Sequence, residues 1–306
     1  MISRMKPCRQ SAPRFRPPLR GMDRRGKLSL FAIVACQRSG THLLRQVLNS
    51  NPRIAVVGEP FSPDNSPTAW HRYLRSLPVE RAVASSDSGA EQLLDGFERH
   101  VRMHMRASPK DFGGVKRLPT RLGYDIKYNQ LRSANTAFSD LRARPYLLDF
   151  FHRRSVRLIH LVRTNVVQVA ISVVIANQRR IWHNHDGRRL SESFHIAPGE
   201  LIEYAGWAEA ERAEFERLSY GLEVLRCDYE DLVDDVQSPK ATFSQRRRTK
   251  VLSRIAEFLR VSNQFCASGL MQKVINRPYC EVISNYDEMV DAVKQSQFSQ
   301  FAETLC

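Results

Sequence analysis

Arg38-Ser39-Gly40-Thr41-His42 stands between an apolar run, Leu28 to Cys36, and a helix-like segment carrying Leu43, Leu44, Val47 and Leu48. A strand that turns into a helix leaves the first helical N–H groups without partners. It aims them, with the helix dipole, at the turn, and that makes an anion site. Gly40 lets the backbone approach a ligand closely, Thr41 offers a hydroxyl, and Arg38 offers a permanent charge with several donors. Aligned on Gly40, the Walker pattern G-x-x-x-x-G-K-[ST] puts Ala35 at its first glycine, Thr41 at its lysine and His42 at its serine or threonine. The phosphate-reaching lysine and the magnesium hydroxyl are both missing. The turn therefore suits a phosphate-like group held without a metal, and a nucleoside triphosphate with magnesium fits it poorly. The alternative is an ordinary strand-to-helix turn that contains Arg, Ser and Gly.

A second group lies further on. Val156 to Val162 reads as a buried strand ending at Arg163, and Ser172 follows near the middle of the next helix. An arginine at the carboxyl end of a parallel strand faces the crevice where open α/β sheets bind ligands. Arg163 and Ser172 there can hydrogen-bond a second phosphate. Taken singly, Arg163 also reads as a surface ion pair and Ser172 as a small residue at a helix contact.

The elements that must position these residues alternate strand and helix. Leu28–Cys36 and Val156–Val162 are near-continuous apolar runs, the mark of strands buried on both faces. Ile54–Val57 and Leu222–Cys227 are further strands, and Tyr124–Tyr128 is another candidate. Helices are expected after His42, within the polar stretch 62–122, over 138–153, from Val166 to Gln178, over 198–219 and over 250–260. Glu203, Glu209, Glu211, Glu214 and Glu216 are assigned to the wet face of the long helix at 198–219. The polar loop from Asp186 to Pro198 reads as a lid or a substrate loop. Alternation of this kind predicts an α/β fold, three-layer α/β/α and P-loop-like, around a central parallel sheet.

Composition narrows the classes. The chain has 306 residues, 42% hydrophobic and 26% charged, which excludes a wholly disordered or fibrous protein. Its longest apolar run, Val166 to Ala176, is too short to span a bilayer and is broken by Gln168 and Ser172. The net charge is +15, but nine basic residues against Asp23 lie in residues 1–27, so +8 of it belongs there and +7 remains. That proline-punctuated stretch is expected to be a disordered basic tail, or an extension ahead of a start at Met22, with one domain over 28–306. It lacks the apolar segment of a secretory signal. Nucleic-acid binding argued from charge alone loses most of its force. Cys8, Cys36, Cys227, Cys266, Cys280 and Cys306 have neither C-x-x-C nor zinc-finger spacing and read as free thiols in a reducing compartment. His183 and His185 flank a polar loop without an identifiable third ligand, so no metal is expected.

The segments IVACQRSGTHLLRQVLNSNP, VVGEPF, YDIKYNQL, IHLVRTNVVQVAISVVIANQRRIW and EVLRCDYEDLVDD resemble the sulfotransferases that use 3′-phosphoadenosine 5′-phosphosulfate (PAPS). Order and spacing are most similar to the bacterial branch with the trehalose and nodulation-factor enzymes, over about 28–235. The resemblance implies that Arg38, Ser39, Gly40, Thr41 and His42 form the 5′-phosphosulfate loop and that Arg163 and Ser172 hold the 3′-phosphate. It implies PAPS as donor, no metal, and a carbohydrate or glycolipid hydroxyl, less readily an amine, as acceptor. The free thiols and the missing secretory segment predict a cytoplasmic enzyme, with peripheral membrane contact through the basic tail and a lipid-linked acceptor. Arg38 replaces the lysine of many cytosolic members; it can stabilise the leaving phosphate but is a poorer proton donor. Glu59, in Glu59-Pro60-Phe61 after the second strand, matches a glutamate of the related bacterial enzymes and is the candidate base. Its alternative is a turn cap or an ion pair. Lys127 steers anions or pins an acceptor loop, or is a solvated lysine. Tyr229 is expected to pack, and Glu230 and Asp231 to begin a helix. Lys273 and Arg277 are further candidates for the 3′-phosphate, and Asn285-Tyr286-Asp287-Glu288 carries no assigned role. A degenerate P-loop kinase or NTPase and a non-catalytic basic binding module are the competing readings.

Overall fold

Five short runs of mostly apolar residues form one all-parallel sheet in the computed structural model: β1 (Ser29–Ala35), β2 (Ile54–Val57), β3 (Arg121–Lys127), β4 (Arg157–Val162) and β5 (Val224–Asp228). The structure describes residues 28–63, 66–84, 86–107, 119–133, 143–180, 192–233, 241–265 and 277–305, with backbone alone at 241–249. The strand order is β2-β3-β1-β4-β5, which places the first strand at the centre. Ten α-helices are described: α1 (Thr41–Asn49), α2 (Trp70–Arg75), α3 (Val79–Ala82), α4 (Asp87–Ala107), α5 (Tyr146–Arg153), α6 (Val166–Arg179), α7 (Pro198–Leu218), α8 (Ala241–Leu259), α9 (Tyr279–Val282) and α10 (Tyr286–Lys294). The expected three-layer α/β/α architecture is therefore what the chain adopts.

Strand side chains alternate between two cores. Ala32, Val34, Ala55, Val57, Leu122, Tyr124 and Leu158 face one, filled from the helices by Phe97, Val101, Phe150, Phe151 and Phe215. Phe31, Ile33, Ala35, Ile54, Val56, Ile159 and Leu161 face the other, under Leu44, Leu48, Ile255 and Leu259. Phe31 occupies the space over Gly123, where a Cβ would collide with its ring. This explains a glycine in the middle of a buried strand. At the edge strand β2, Asn49 from the end of α1 accepts from the Val56 N–H at 2.7 Å and donates to its carbonyl at 3.4 Å, closing that edge.

Helix α6 is apolar over most of its surface because it is enclosed, with Gln168 and Ser172 as the polar exceptions in its first ten residues. Val169 and Val173 join the sheet core, while Val167, Ala170, Ile171 and Val174 meet Phe194, Ile196, Leu201, Met289, Val293 and Phe298. The C-terminal elements thus form a side layer packed on α6 and α7.

Several expected boundaries shift. β3 begins at Arg121, three residues before the expected start, because its partner β1 runs alongside from Ser29. The last strand moves from Leu222–Cys227 to Val224–Asp228, in register with Leu158 to Val162 of β4. Helix α8 starts nine residues before 250. The stretch 62–122 contributes α2, α3 and α4 before β3. Glu209 and Glu211 are not on the wet face of α7; both are half-buried, unlike Glu203, Glu214 and Glu216. The described end of the loop read as a lid, from residue 192, is tied down. Phe194 pairs with Ile283, and Asn285 brackets Ile196 by accepting from its N–H (3.0 Å) and donating to its carbonyl (2.9 Å). Asn285 thereby acquires a structural role. Residues 1–27, Trp182, His183, His185, Lys273 and residues 186–191 lie outside the described residues, as do the side chains of Arg246 to Arg248.

Candidate functional site

Parallel register brings the carboxyl ends of the strands to one edge. Ala35 is paired with both Lys127 and Leu161, and Val162 with Asp228. The residues that leave this edge are Gln37 and Arg38 after β1, Gly58 and Glu59 after β2, Tyr128 after β3, Arg163 after β4 and Tyr229 after β5. Arg38, Glu59 and Arg163 lie on these exits, Ser39 and Gly40 follow Arg38, Thr41 and His42 begin α1, and Lys127 closes β3. Ser172 reaches the same place from α6.

The turn into α1 is bent by left-handed backbone at Arg38 (φ 60°) and at Gly40 (φ 83°), and Gly40 serves as the N-cap without a side-chain cap. The Tyr229 ring lies against Gly40 so closely that a Cβ there would run into it. Ser39 and Thr41 are buried. His42 hydrogen-bonds through Nδ1 to Arg45 at 2.7 Å.

Around Arg38 the two expected anion clamps form one cluster. Arg38 Nε donates to Ser172 Oγ at 3.0 Å, and Arg163 donates to the Arg38 carbonyl at 3.4 Å. The Arg163 guanidinium also covers the Tyr229 ring, 5.1 Å from its centroid. Burial, with Arg163 alongside, pushes the Arg38 guanidinium below its ordinary range. No carboxylate among the described residues lies within ion-pair distance of Arg163, and its buried Nε finds no hydrogen-bond partner among them. Two adjacent guanidiniums, a helix N-terminus and an orphaned donor make a pocket of positive potential that suits an anion.

A second cluster lies on the α1 face of β3. Asp125 and Lys127 are two residues apart in the strand and so share a face. The Lys127 ammonium donates to Asp125 Oδ1 and to Thr41 Oγ1, each at 2.6 Å, and stands 3.5 Å from Glu59 Oε1. Only 3% of Lys127 is exposed, which corrects its reading as a solvated lysine. Arg45 approaches the other Asp125 oxygen at 4.0 Å. Glu59 is left-handed in backbone (φ 38°), and its other oxygen accepts from Gln130 Nε2 at 3.0 Å. Gln130 in turn accepts from the Lys127 N–H at 3.2 Å. The Glu59 carboxylate is thus held in one orientation with lone pairs to spare and one-third of the side chain exposed.

Beneath this group the Tyr128 hydroxyl meets His160 Nε2 at 2.7 Å, and Phe215 stacks on Tyr128 at 5.5 Å. Burial drives the His160 imidazole down to about 3, helped by Arg226 and Arg212, so His160 is neutral and shares one hydrogen bond with the Tyr128 hydroxyl. Glu211, one turn before Phe215 on α7, is pushed up to about 7 by burial and by Glu214. Its charge also acts on Cys36, whose thiol burial raises to about 12.

Sequence reasoning missed several supports. Glu230 accepts from the Thr164 N–H (3.0 Å) and hydroxyl (2.7 Å), tying the loop after Arg163 to β5. Gln168 accepts from Arg163 at 2.9 Å. The signal for Gln168 was present: it and Ser172 are spaced four apart on an otherwise apolar helix, hence on one face. Arg277 does not join the cluster on what is described of it; it pairs with Glu281 at 2.9 Å. Among the described residues no group of three or more His, Cys, Asp and Glu is placed to hold a metal ion. No described helix is long and apolar enough to cross a membrane.

A parallel α/β sheet with a basic turn after its first strand suits an enzyme that handles an anionic substrate, and comparison with known proteins gives its family. Residues 30–242 match the Stf0 sulphotransferase family, and the chain belongs to that family. The chain is 23% identical over 280 residues to Nodulation protein H of Rhizobium meliloti (strain 1021), with 89% of this chain and 94% of that protein covered. A solved sulfotransferase domain from the Synechococcus PCC 7002 olefin synthase is 15% identical, with a TM-score of 0.38 and 90% and 94% of the two chains covered. The protein is a sulfotransferase.

Proposed function

We propose that this sulfotransferase takes its sulfuryl group from PAPS and delivers it to a hydroxyl of a carbohydrate or glycolipid acceptor. The observation that carries the reading is the Arg38–Arg163 pair, two guanidiniums side by side with a buried Arg163 Nε lacking a partner among the described residues. A donor with two anionic ends fits this set: the residues present are cationic or neutral donors, and the Walker lysine and magnesium hydroxyl are absent. The turn Arg38 to His42 would hold the 5′ end, with Arg163 and Ser172 at the 3′-phosphate. When bound, the donor supplies the sulfuryl group and leaves as adenosine 3′,5′-bisphosphate.

The chain's own contribution is positioning and charge. Arg38 and the first N–H groups of α1 stabilise the negative charge that grows on the departing phosphate. The Glu59 carboxylate, fixed by Lys127 and Gln130, accepts the proton of the acceptor hydroxyl as its oxygen bonds to sulfur. Lys127 joins the two halves: it grips Thr41 at the start of α1 and stands beside Glu59, so the base keeps its distance from the anion turn. The carbohydrate acceptor is what the resemblance of the sequence to the bacterial trehalose and nodulation-factor sulfotransferases implies.

Calorimetric titration tests the donor. Adenosine 3′,5′-bisphosphate should bind without magnesium, and more tightly than ATP with magnesium. Tighter binding of magnesium–ATP would turn the reading toward a phosphotransferase. With PAPS and a panel of di- and oligosaccharides, Glu59→Gln should slow sulfation by about 10²- to 10⁴-fold while leaving bisphosphate affinity intact. Unchanged turnover would remove Glu59 from the chemistry.

A further inference from the structure

Arg163 is pinned on three sides. It donates to the Arg38 carbonyl (3.4 Å), it lies over the Tyr229 ring (5.1 Å), and its remaining terminal nitrogen donates to Gln168 Oε1 (2.9 Å). Only Nε is left over among the described contacts. Gln168 is itself fixed from the far end of the chain. Its Nε2 donates to the Thr304 carbonyl at 3.2 Å, and its backbone N–H donates to the side chain of Asn165, the N-cap of α6, at 3.0 Å. Asn165 donates to Thr304 Oγ1 at 2.8 Å, and that hydroxyl donates to the Phe301 carbonyl at 2.8 Å. Ala302 and Leu305 on either side are buried against the α6 cluster.

This wiring fixes the orientation of the Gln168 amide. An amide presents a donor nitrogen and an acceptor oxygen. The Thr304 carbonyl accepts only, so it takes the nitrogen. The oxygen is then turned toward the guanidinium, which donates only. Flipping the amide would set donor against donor and acceptor against acceptor. We propose that Gln168, oriented by Thr304, is a positioning residue that sets the pose of Arg163 and thereby the enzyme's affinity for the 3′-phosphate of its donor. The C-terminal turn is in this sense part of the donor site, although it touches no ligand. The inference rests on the reading of Arg163 as a 3′-phosphate contact.

The test is calorimetric titration of two probes, adenosine 3′,5′-bisphosphate and adenosine 5′-monophosphate, which lacks the 3′ group. The proteins are wild type, Gln168→Ala, Thr304→Val, Arg163→Ala and the Arg163→Ala/Gln168→Ala double variant. Gln168→Ala should weaken the bisphosphate about tenfold, the scale of one hydrogen bond to a charged group, and leave the monophosphate unchanged. Thr304→Val keeps the carbonyl and loses the hydroxyl, so its bisphosphate loss should be smaller. The Gln168→Ala loss should vanish when Arg163 is already alanine. Equal weakening of both probes by Gln168→Ala would reveal a merely structural residue and overturn the inference. So would wild-type bisphosphate affinity in Gln168→Ala alongside weak binding in Arg163→Ala. If Arg163→Ala itself binds the bisphosphate normally, the underlying assignment of Arg163 fails instead.

Discussion

Replacing Lys127 by methionine leaves an unbranched apolar side chain one atom shorter and removes the ammonium with its charge and its donors. Asp125, 1% exposed, then loses its 2.6 Å partner and among the described residues retains Arg45 at 4.0 Å. Thr41 Oγ1 loses a 2.6 Å donor as well. Glu59 suffers less, because it is one-third exposed and keeps Gln130. The cost is therefore dominated by a stranded buried carboxylate, about 3–5 kcal/mol. For a chain of this size that corresponds to a melting temperature lower by roughly 5–8 °C. Urea denaturation of Lys127→Met, Asp125→Asn and the double variant separates the pair from its surroundings. Removing both charges should restore most of the loss, with a coupling of about 2 kcal/mol or more. A double variant whose loss equals the sum of the single losses would refute the argument that the two charges sustain each other.

Two further outcomes follow from the same edge of the sheet. His160 is held near 3 against an ordinary 6.5, so below pH 6.5 the unfolded chain binds a proton that the folded chain refuses. The His160 contribution to stability should accordingly be full above that pH and be lost by about 1.4 kcal/mol per unit on acidification toward pH 3, while Glu211, pushed up to about 7, contributes with the opposite sign between pH 7 and 4.5. His160→Gln, which cannot titrate, should flatten this limb in urea midpoints taken from pH 7 to 4, and parallel curves would argue against a neutral buried imidazole. Gly40→Ala meets both a left-handed backbone (φ 83°) and the Tyr229 ring. It should lose about 2–4 kcal/mol, and Tyr229→Ala in the same chain should recover the collision but not the backbone part, as read by thermal unfolding.

The strands and the anion turn were legible because their signals are local. Ile54–Val57 and the helix from Val166 are apolar runs with clear stops, and Gly40 is the residue a strand-to-helix turn demands. β3 was half-read, since Arg121-Leu122-Gly123 looks polar until Phe31 from the neighbouring strand is seen to fill the glycine's space. The partnership of Lys127 with Thr41 spans 86 positions, and that of Gln168 with Thr304 spans 136. No periodicity reports contacts of such separation, so the sequence offered a lone lysine and a lone glutamine. Glu211 was misassigned for a related reason: charge type suggested solvent, but its place one turn before Phe215 turns it toward Cys36.

Arg38 and Glu59 both occupy backbone that favours glycine, at φ 60° and 38°. Each such residue costs about 1–2 kcal/mol relative to a relaxed conformation. Selection for thermal endurance alone would drift toward glycine or asparagine at these two places. A hardier descendant bred without an activity screen would therefore tend to shed the two residues proposed to meet the donor's anion and the acceptor's proton, and any stabilisation programme for this enzyme should hold both codons fixed.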